Sequence, residues 1–153
     1  MAGMTVGIRW DDPVELPEPA DTEAYGEELG RALHAGDLVV LSGPLGAGKT
    51  ALVRGLARGL GAAGPVTSPT FVIAREHEAL PGGVPLVHVD AYRLGGVAEL
   101  DDLDLDTDLT EAVVVVEWGE GVAERLAESH VLVRLERRPD DVRVARAERV
   151  GAA

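Results

Sequence analysis

Residues 38–61 read LVVLSGPLGAGKTALVRGLARGLG, and the change of pattern inside them decides the fold. Leu38, Val39, Val40 and Leu41 are a short apolar run of the kind that forms a buried strand, and Ala51, Leu52, Val53, Leu56 and Leu60 then recur at helical spacing. Gly61 closes that helix. Between strand and helix, Gly43, Gly48, Lys49 and Thr50 fit G-x-x-x-x-G-K-[ST]. In this pattern backbone N–H groups cradle phosphates, the lysine reaches the β and γ oxygens, and the hydroxyl ligates magnesium. The helix turns the positive end of its dipole toward the same phosphates. Pro44, Leu45, Gly46, Ala47, Gly48, Lys49 and Thr50 are therefore the candidate nucleotide-binding residues, with Thr50 a candidate metal ligand.

Lys49 is the only lysine in a chain with thirteen arginines. Arginine presents a broad planar fork, whereas lysine is a compact point charge on a thin stem, so a lone lysine in a glycine-rich turn suggests a tight anion site.

The chain of 153 residues is long enough for one well-buried domain and too short for two ordinary ones. No apolar run approaches the roughly 20 residues that span a bilayer, and no secretory signal is visible. Cysteine is absent, which excludes thiolate catalysis and cysteine-ligated zinc. A cytoplasmic protein is expected. The net charge of −13 argues against a large independent nucleic-acid surface, because such binding depends on neutralising phosphates with Lys and Arg. A role in RNA metabolism would need a partner. Asp101 to Asp108 holds part of this acidity and reads as a solvated loop in preference to a docking surface.

Elsewhere the pattern predicts a short strand over 4–10, a Pro- and Glu-rich turn through Pro19, and a helix capped by Asp21 or Thr22 that ends near Gly36. Tyr25, Leu29 and Leu33 face the core. A strand over 70–75, a turn at Leu80-Pro81-Gly82-Gly83, a strand over 85–89 and a short helix over 97–103 follow. Ala112 to Val116 is the most apolar run and reads as a central strand buried on both faces, followed by a helix over 122–127. The strands 130–136 and 142–148 form an antiparallel hairpin at a sheet edge, joined through Arg137 to Asp141. The expected fold is α/β: a single P-loop NTPase-like domain with a mainly parallel central sheet, antiparallel edge strands and helices on both faces. Ligand is expected beyond the carboxyl ends of the central strands.

Phosphoryl chemistry needs magnesium and a group that positions the nucleophile. Two carboxylates compete for these roles, Asp90 at the end of one predicted strand and Glu117 at the end of another. Asparagine and glutamine are both absent, which rules out a guanine-reading N-K-x-D motif and a water-orienting glutamine and favours ATP over GTP. No arginine-rich lid is evident, although Arg75 or Arg93 lies in a loop position to serve. His34, His77, His88 and His130 show no i, i+4 pair, so a zinc site is not expected. His88 lies two residues before Asp90 on one strand face, where it either orients that carboxylate or packs beneath it.

Gly43 to Thr50, Ser68-Pro69-Thr70-Phe71, His88-Val89-Asp90-Ala91-Tyr92-Arg93-Leu94 and Glu117-Trp118 together resemble the successive motifs of the TsaE family, small bacterial ATPases of tRNA threonylcarbamoyladenosine biosynthesis. Four motifs in order over a core of about 15–150 are far more specific than the first alone, and imply that residues 1–153 are one P-loop ATPase domain. The resemblance implies that Lys49 holds the β/γ-phosphates and that Thr50 and Glu117 ligate magnesium. It implies that Asp90 lies near the γ-phosphate as the candidate for aligning the nucleophile, and that Thr70 belongs to a loop sensing that phosphate. Trp118 would sit near the nucleotide or simply pack in the core; Thr22 would touch adenine or simply cap its helix.

The resemblance also implies partners, the transferase TsaD and its companion TsaB, which act on adenosine 37 of tRNA while ATP hydrolysis resets the assembly for further turnover. An acidic protein suits a role exercised through protein contacts. Two departures stand out. Ala51 replaces a second Thr that the family commonly carries, and Pro139-Asp140 stand where a Gly-Arg pair often joins the last two strands, so no nucleotide contact is carried over from that turn. Arg134, Arg137, Arg138, Arg143, Arg146 and Arg149 read as solvated edge-strand charges that discourage aggregation, in preference to phosphate or partner contacts. A small-molecule kinase and a nucleotide-gated binding module are the rival functions.

Overall fold

The run at 38–41 becomes the middle of a sheet. The computed structural model describes residues 10–43, 48–62, 74–90, 111–117 and 129–151. Its elements are β1 (Val14–Leu16), α1 (Pro19–Ala32), β2 (Leu38–Ser42), α2 (Lys49–Leu60), β3 (Ala74–His77), β4 (Leu86–Asp90), β5 (Val113–Glu117), β6 (His130–Arg137) and β7 (Arg143–Val150). Among the described residues the strands form one seven-stranded sheet in the order β1-β7-β6-β2-β5-β4-β3. Strands β6, β2, β5 and β4 are mutually parallel, and β1, β7 and β3 pair antiparallel at the two margins. The expected α/β class and mixed sheet are borne out.

Strands β2 and β5 carry branched or long apolar side chains on both faces because both faces are covered. Val39, Leu41, Val113, Val115, Val131 and Val133 share one core with Tyr25, Leu29, Leu52, Val53 and Leu56 of the two helices. Leu38, Val40, Val114 and Val116, on the opposite face, are equally buried. The helices predicted over 97–103 and 122–127 lie outside the described residues, as does the acidic segment 101–108.

Helix α1 starts one turn earlier than predicted. Pro19 occupies its first turn, where a missing N–H costs nothing, and the N-cap is Glu18, whose backbone N–H donates to Asp21 Oδ2 at 2.9 Å. Asp21 thus stabilises the cap from inside the helix, and Thr22 is buried rather than capping. The helix ends at Ala32, and Leu33 packs in the core as expected.

Helices α1 and α2 meet through glycines. A Cβ placed on Gly55 would lie 1.9 Å from the Glu23 carbonyl oxygen, and one on Gly26 would lie 2.1 Å from that of Leu52. Gly30 and Gly59, each four residues along, are opposed almost as tightly, a Cβ there lying 2.4 Å from the Leu56 carbonyl oxygen and 2.2 Å from that of Glu27, respectively. Glycine is required here because backbone packs directly on backbone. Glu23 also accepts from Arg54 at 3.3 Å across the contact.

Two further expectations are corrected. Strand β1 falls inside the stretch read as a turn, while of the strand predicted over 4–10 only Trp10 is described, in an isolated bridge to Ala147. Three residues with alternating exposure were too short a pattern to announce a strand. The 130–150 hairpin forms as predicted but is not at the edge: β6 pairs with β2, and β1 covers β7. Arg134 and Arg137 on β6 and Arg143 on β7 are therefore not edge-strand charges, whereas Arg146 and Arg149 lie beyond the residues 143–145 that β1 pairs with.

Candidate functional site

Parallel strands end at one rim, and the candidate side chains collect there. In the β4–β5 register Asp90 stands opposite Glu117, and in the β2–β5 register Glu117 stands opposite Leu41, two residues before Gly43. Gly48 is the N-cap of α2, and its φ of 97° is a left-handed conformation that a side chain would strain. Lys49 is the first residue of α2 and Thr50 the second.

The lysine turns inward. It is 6% exposed, and its Nζ donates to the Gly43 carbonyl at 2.8 Å and lies 3.8 Å from Glu117 Oε1. Glu117 is also buried, and its other oxygen, Oε2, meets Nε2 of His88 in a short hydrogen bond. His88 is completely enclosed. A cation and a carboxylate thus face each other at the mouth of a helix, in a setting where isolated charges would be costly to bury. The donor set fits a phosphate with a hard divalent cation: an ammonium group and helix-terminal N–H groups for the anion, carboxylate and hydroxyl oxygens for the metal.

The structure therefore brings together Gly48, Lys49, Thr50 and Glu117, with the Asp90 backbone on the adjoining strand end. It assigns His88 to Glu117, a partner that its position two residues before Asp90 does not predict. Spacing along one strand places His88 near Asp90 in sequence, but only the hydrogen bond to Glu117 shows which carboxylate the ring reaches. Pro44, Leu45, Gly46, Ala47, Thr70, Arg93 and Trp118 lie outside the described residues.

Beside Gly48 opens a cleft lined by Leu16, Pro17, Thr22, Ala51, Asp141 and Arg143. Thr22 and Gly48 thus border the same space. Arg143 and Asp141 are held together, the guanidinium donating to the Asp141 carbonyl at 2.5 Å. That β6–β7 turn borders the site although its Pro139-Asp140 sequence does not announce it. In the structure Asp141 adopts φ 68° in that turn. Arg137 and Arg138 instead pair with Asp141 and Asp140 at the turn itself, and Arg134 and Arg146 are exposed.

Residues 16–146 match the sequence model of the family described as "Threonylcarbamoyl adenosine biosynthesis protein TsaE". The chain is 55% identical over 152 residues to the tRNA threonylcarbamoyladenosine biosynthesis protein TsaE of Mycobacterium bovis, covering 94% of this chain and 88% of the relative. It is 61% identical over 117 residues to the protein of the same name in Streptomyces coelicolor, covering 76% and 79%. The crystal structure of Bacillus subtilis YdiB superposes with a TM-score of 0.71 at 29% identity, over 92% of this chain and 86% of that one. With a family model matching residues 16–146 and relatives of that name at 55% and 61% identity over most of the chain, the chain belongs to the TsaE family of tRNA threonylcarbamoyladenosine biosynthesis proteins.

Proposed function

We propose that the protein is a magnesium-dependent ATPase that works with TsaD- and TsaB-like proteins and supports their repeated turnover in forming threonylcarbamoyladenosine at position 37 of tRNA. The observation that carries this reading is the buried Lys49 facing Glu117 where β2 passes into the Gly48-capped helix. Lys49 binds the β- and γ-phosphate oxygens, exchanging its bond to the Gly43 carbonyl for them. Thr50 and Glu117 would hold magnesium, which when bound neutralises charge developing on the phosphates. Asp90, opposite Glu117 in register, orients the attacking water. Thr70 senses the γ-phosphate, and Trp118 flanks the nucleotide. The cleft between Thr22 and Arg143 takes the adenine, stacking it on apolar walls.

Partners complete the site. The residues named here supply phosphate binding and water alignment, while no arginine among them is assigned to stabilise the transferred phosphoryl group, so hydrolysis by the protein alone is weak. The tRNA is reached through the partners, consistent with the net charge of −13.

ATP hydrolysis by the protein alone, with TsaD and TsaB, and with both but carrying Lys49→Ala, tRNA present throughout, tests this. A strong partner-dependent rise abolished by Lys49→Ala is expected. No rise with a verified complex would refute the mechanism, and phosphate appearing on a small acceptor would instead identify a kinase.

A further inference from the structure

A fully buried histidine in a valine-rich sheet calls for a reason. His88 lies on β4 between Val87 and Val89, with Val115 opposite it in β5, and none of its surface is exposed. If the position served packing alone, an aliphatic side chain like those at 113–116 would fill it without burying polar nitrogens. Among the described residues Nδ1 has no hydrogen-bond partner, so burying the ring has a cost that only Nε2 offsets. Nε2 is bonded to Glu117 Oε2, and the orphaned Nδ1 is best accommodated as the bare acceptor of the Nε2–H tautomer.

We infer that His88 is the positioning residue of the site: by holding Oε2 of Glu117 it presents Oε1 to the phosphate and metal side, where Lys49 Nζ now faces it. This rests on Glu117 being a magnesium ligand. A glutamate has three rotatable bonds, and beside a lysine it is drawn toward the ammonium group. A hydrogen bond from a neighbouring strand to one oxygen fixes the carboxylate plane and leaves the second oxygen directed. The chain of contacts crosses three elements: the Gly43 carbonyl and Lys49 at the β2–α2 junction, Glu117 on β5, and His88 on β4. Groups that orient a metal ligand in this way are worth about 10- to 100-fold in metal affinity.

The test is ADP binding, by calorimetry, over a magnesium series that begins in chelator, on purified full-length protein. His88→Leu keeps the volume and removes the donor; His88→Gln offers an amide N–H near the position of Nε2; His88→Asn offers one too short to reach. His88→Leu and His88→Asn are expected to raise the magnesium concentration at half-maximal enhancement about tenfold or more, while metal-free ADP affinity changes less than about twofold. His88→Gln should lie within about threefold of the parent protein. If His88→Leu does not fold, the contrast between Asn and Gln decides. An unchanged magnesium midpoint in both Leu and Asn variants, or an equal loss of metal-free binding, would overturn the inference and leave His88 a packing residue. Failure of the underlying reading looks different: the parent protein itself would show no magnesium enhancement, or Glu117→Ala would leave it intact.

Discussion

Replacing Gly55 by Ala tests how the site is built, because the glycine contact between α1 and α2 sets Thr22 beside Gly48. The Cβ would sit 1.9 Å from the Glu23 carbonyl oxygen. Carbon–oxygen contacts bottom out near ~3.3 Å, so the helices must separate by about 1.4 Å. Neither side can yield easily, since the obstacle is helix backbone and not the end of a flexible side chain. A gap of ~0.5–1 Å already forfeits a quarter to a half of each dispersion contact, and the contacts at Gly26, Gly30 and Gly59 open together. Overpacking typically costs ~1–3 kcal/mol, and this case belongs at the top of that range. Alanine's better helix propensity returns ~1 kcal/mol, leaving a net loss of about 2 kcal/mol. For a chain of this size that lowers Tm by about 4–8 °C. Urea denaturation followed by circular dichroism measures it, with an unchanged m-value showing that only stability has moved. The same opening shifts Thr22 from Gly48 and should weaken nucleotide binding. A Gly55→Ala protein as stable as its parent would refute the close approach of the two helices and the positioning that depends on it.

Three further outcomes follow from the same geometry. Burial alone pushes the Tyr25 hydroxyl from 10.0 up to about 12, and its oxygen has no partner among the described residues. The unfolded chain therefore loses this proton first, so stability should fall as pH rises from 10 to about 12; Tyr25→Phe should remove that fall and leave stability at pH 7 equal or higher, measured by urea midpoints at each pH. Lys49→Met, which leaves Glu117 buried without its ammonium neighbour, should destabilise the nucleotide-free protein by about 3 kcal/mol, and adding Glu117→Gln should recover part of it; additive losses would show that the two charges are not coupled. At the β6–β7 turn the Arg138 hydrogen bond holds the Asp140 carboxyl below its ordinary value. Its contribution is present above the unfolded carboxyl's range and is lost as pH falls through the lowered value, so Arg138→Ala should raise the Asp140 titration seen by NMR; no upward movement would exclude the pairing.

Residues 38–61 made β2 and α2 legible because their signals are local: an apolar run, a glycine-rich turn and a helical repeat. The same holds for β5, whose four valines left no other reading. Strand β1 was not legible, since three residues of mixed exposure resemble a turn and become a strand only because β7 offers them hydrogen bonds. The cap of α1 was misread by one turn because Glu18 is a weak N-cap by type and succeeds through Asp21. The glycines of α1 and α2 carried a signal, four-residue spacing in both helices, whose meaning depended on their facing each other.

The linear sequence determined the chemistry available at the rim, because a lone lysine, its adjacent threonine and two strand-end carboxylates are defined by residue type and by spacing along one chain. Tertiary structure alone decided how they combine. Glu117 lies between Lys49 and His88 because β5 runs between β2 and β4, and Arg143 borders Gly48 because the hairpin's register brings its turn around to α2. Pairings of this kind join residues tens of positions apart, and their geometry comes from strand order and register, quantities that no local pattern in the chain encodes.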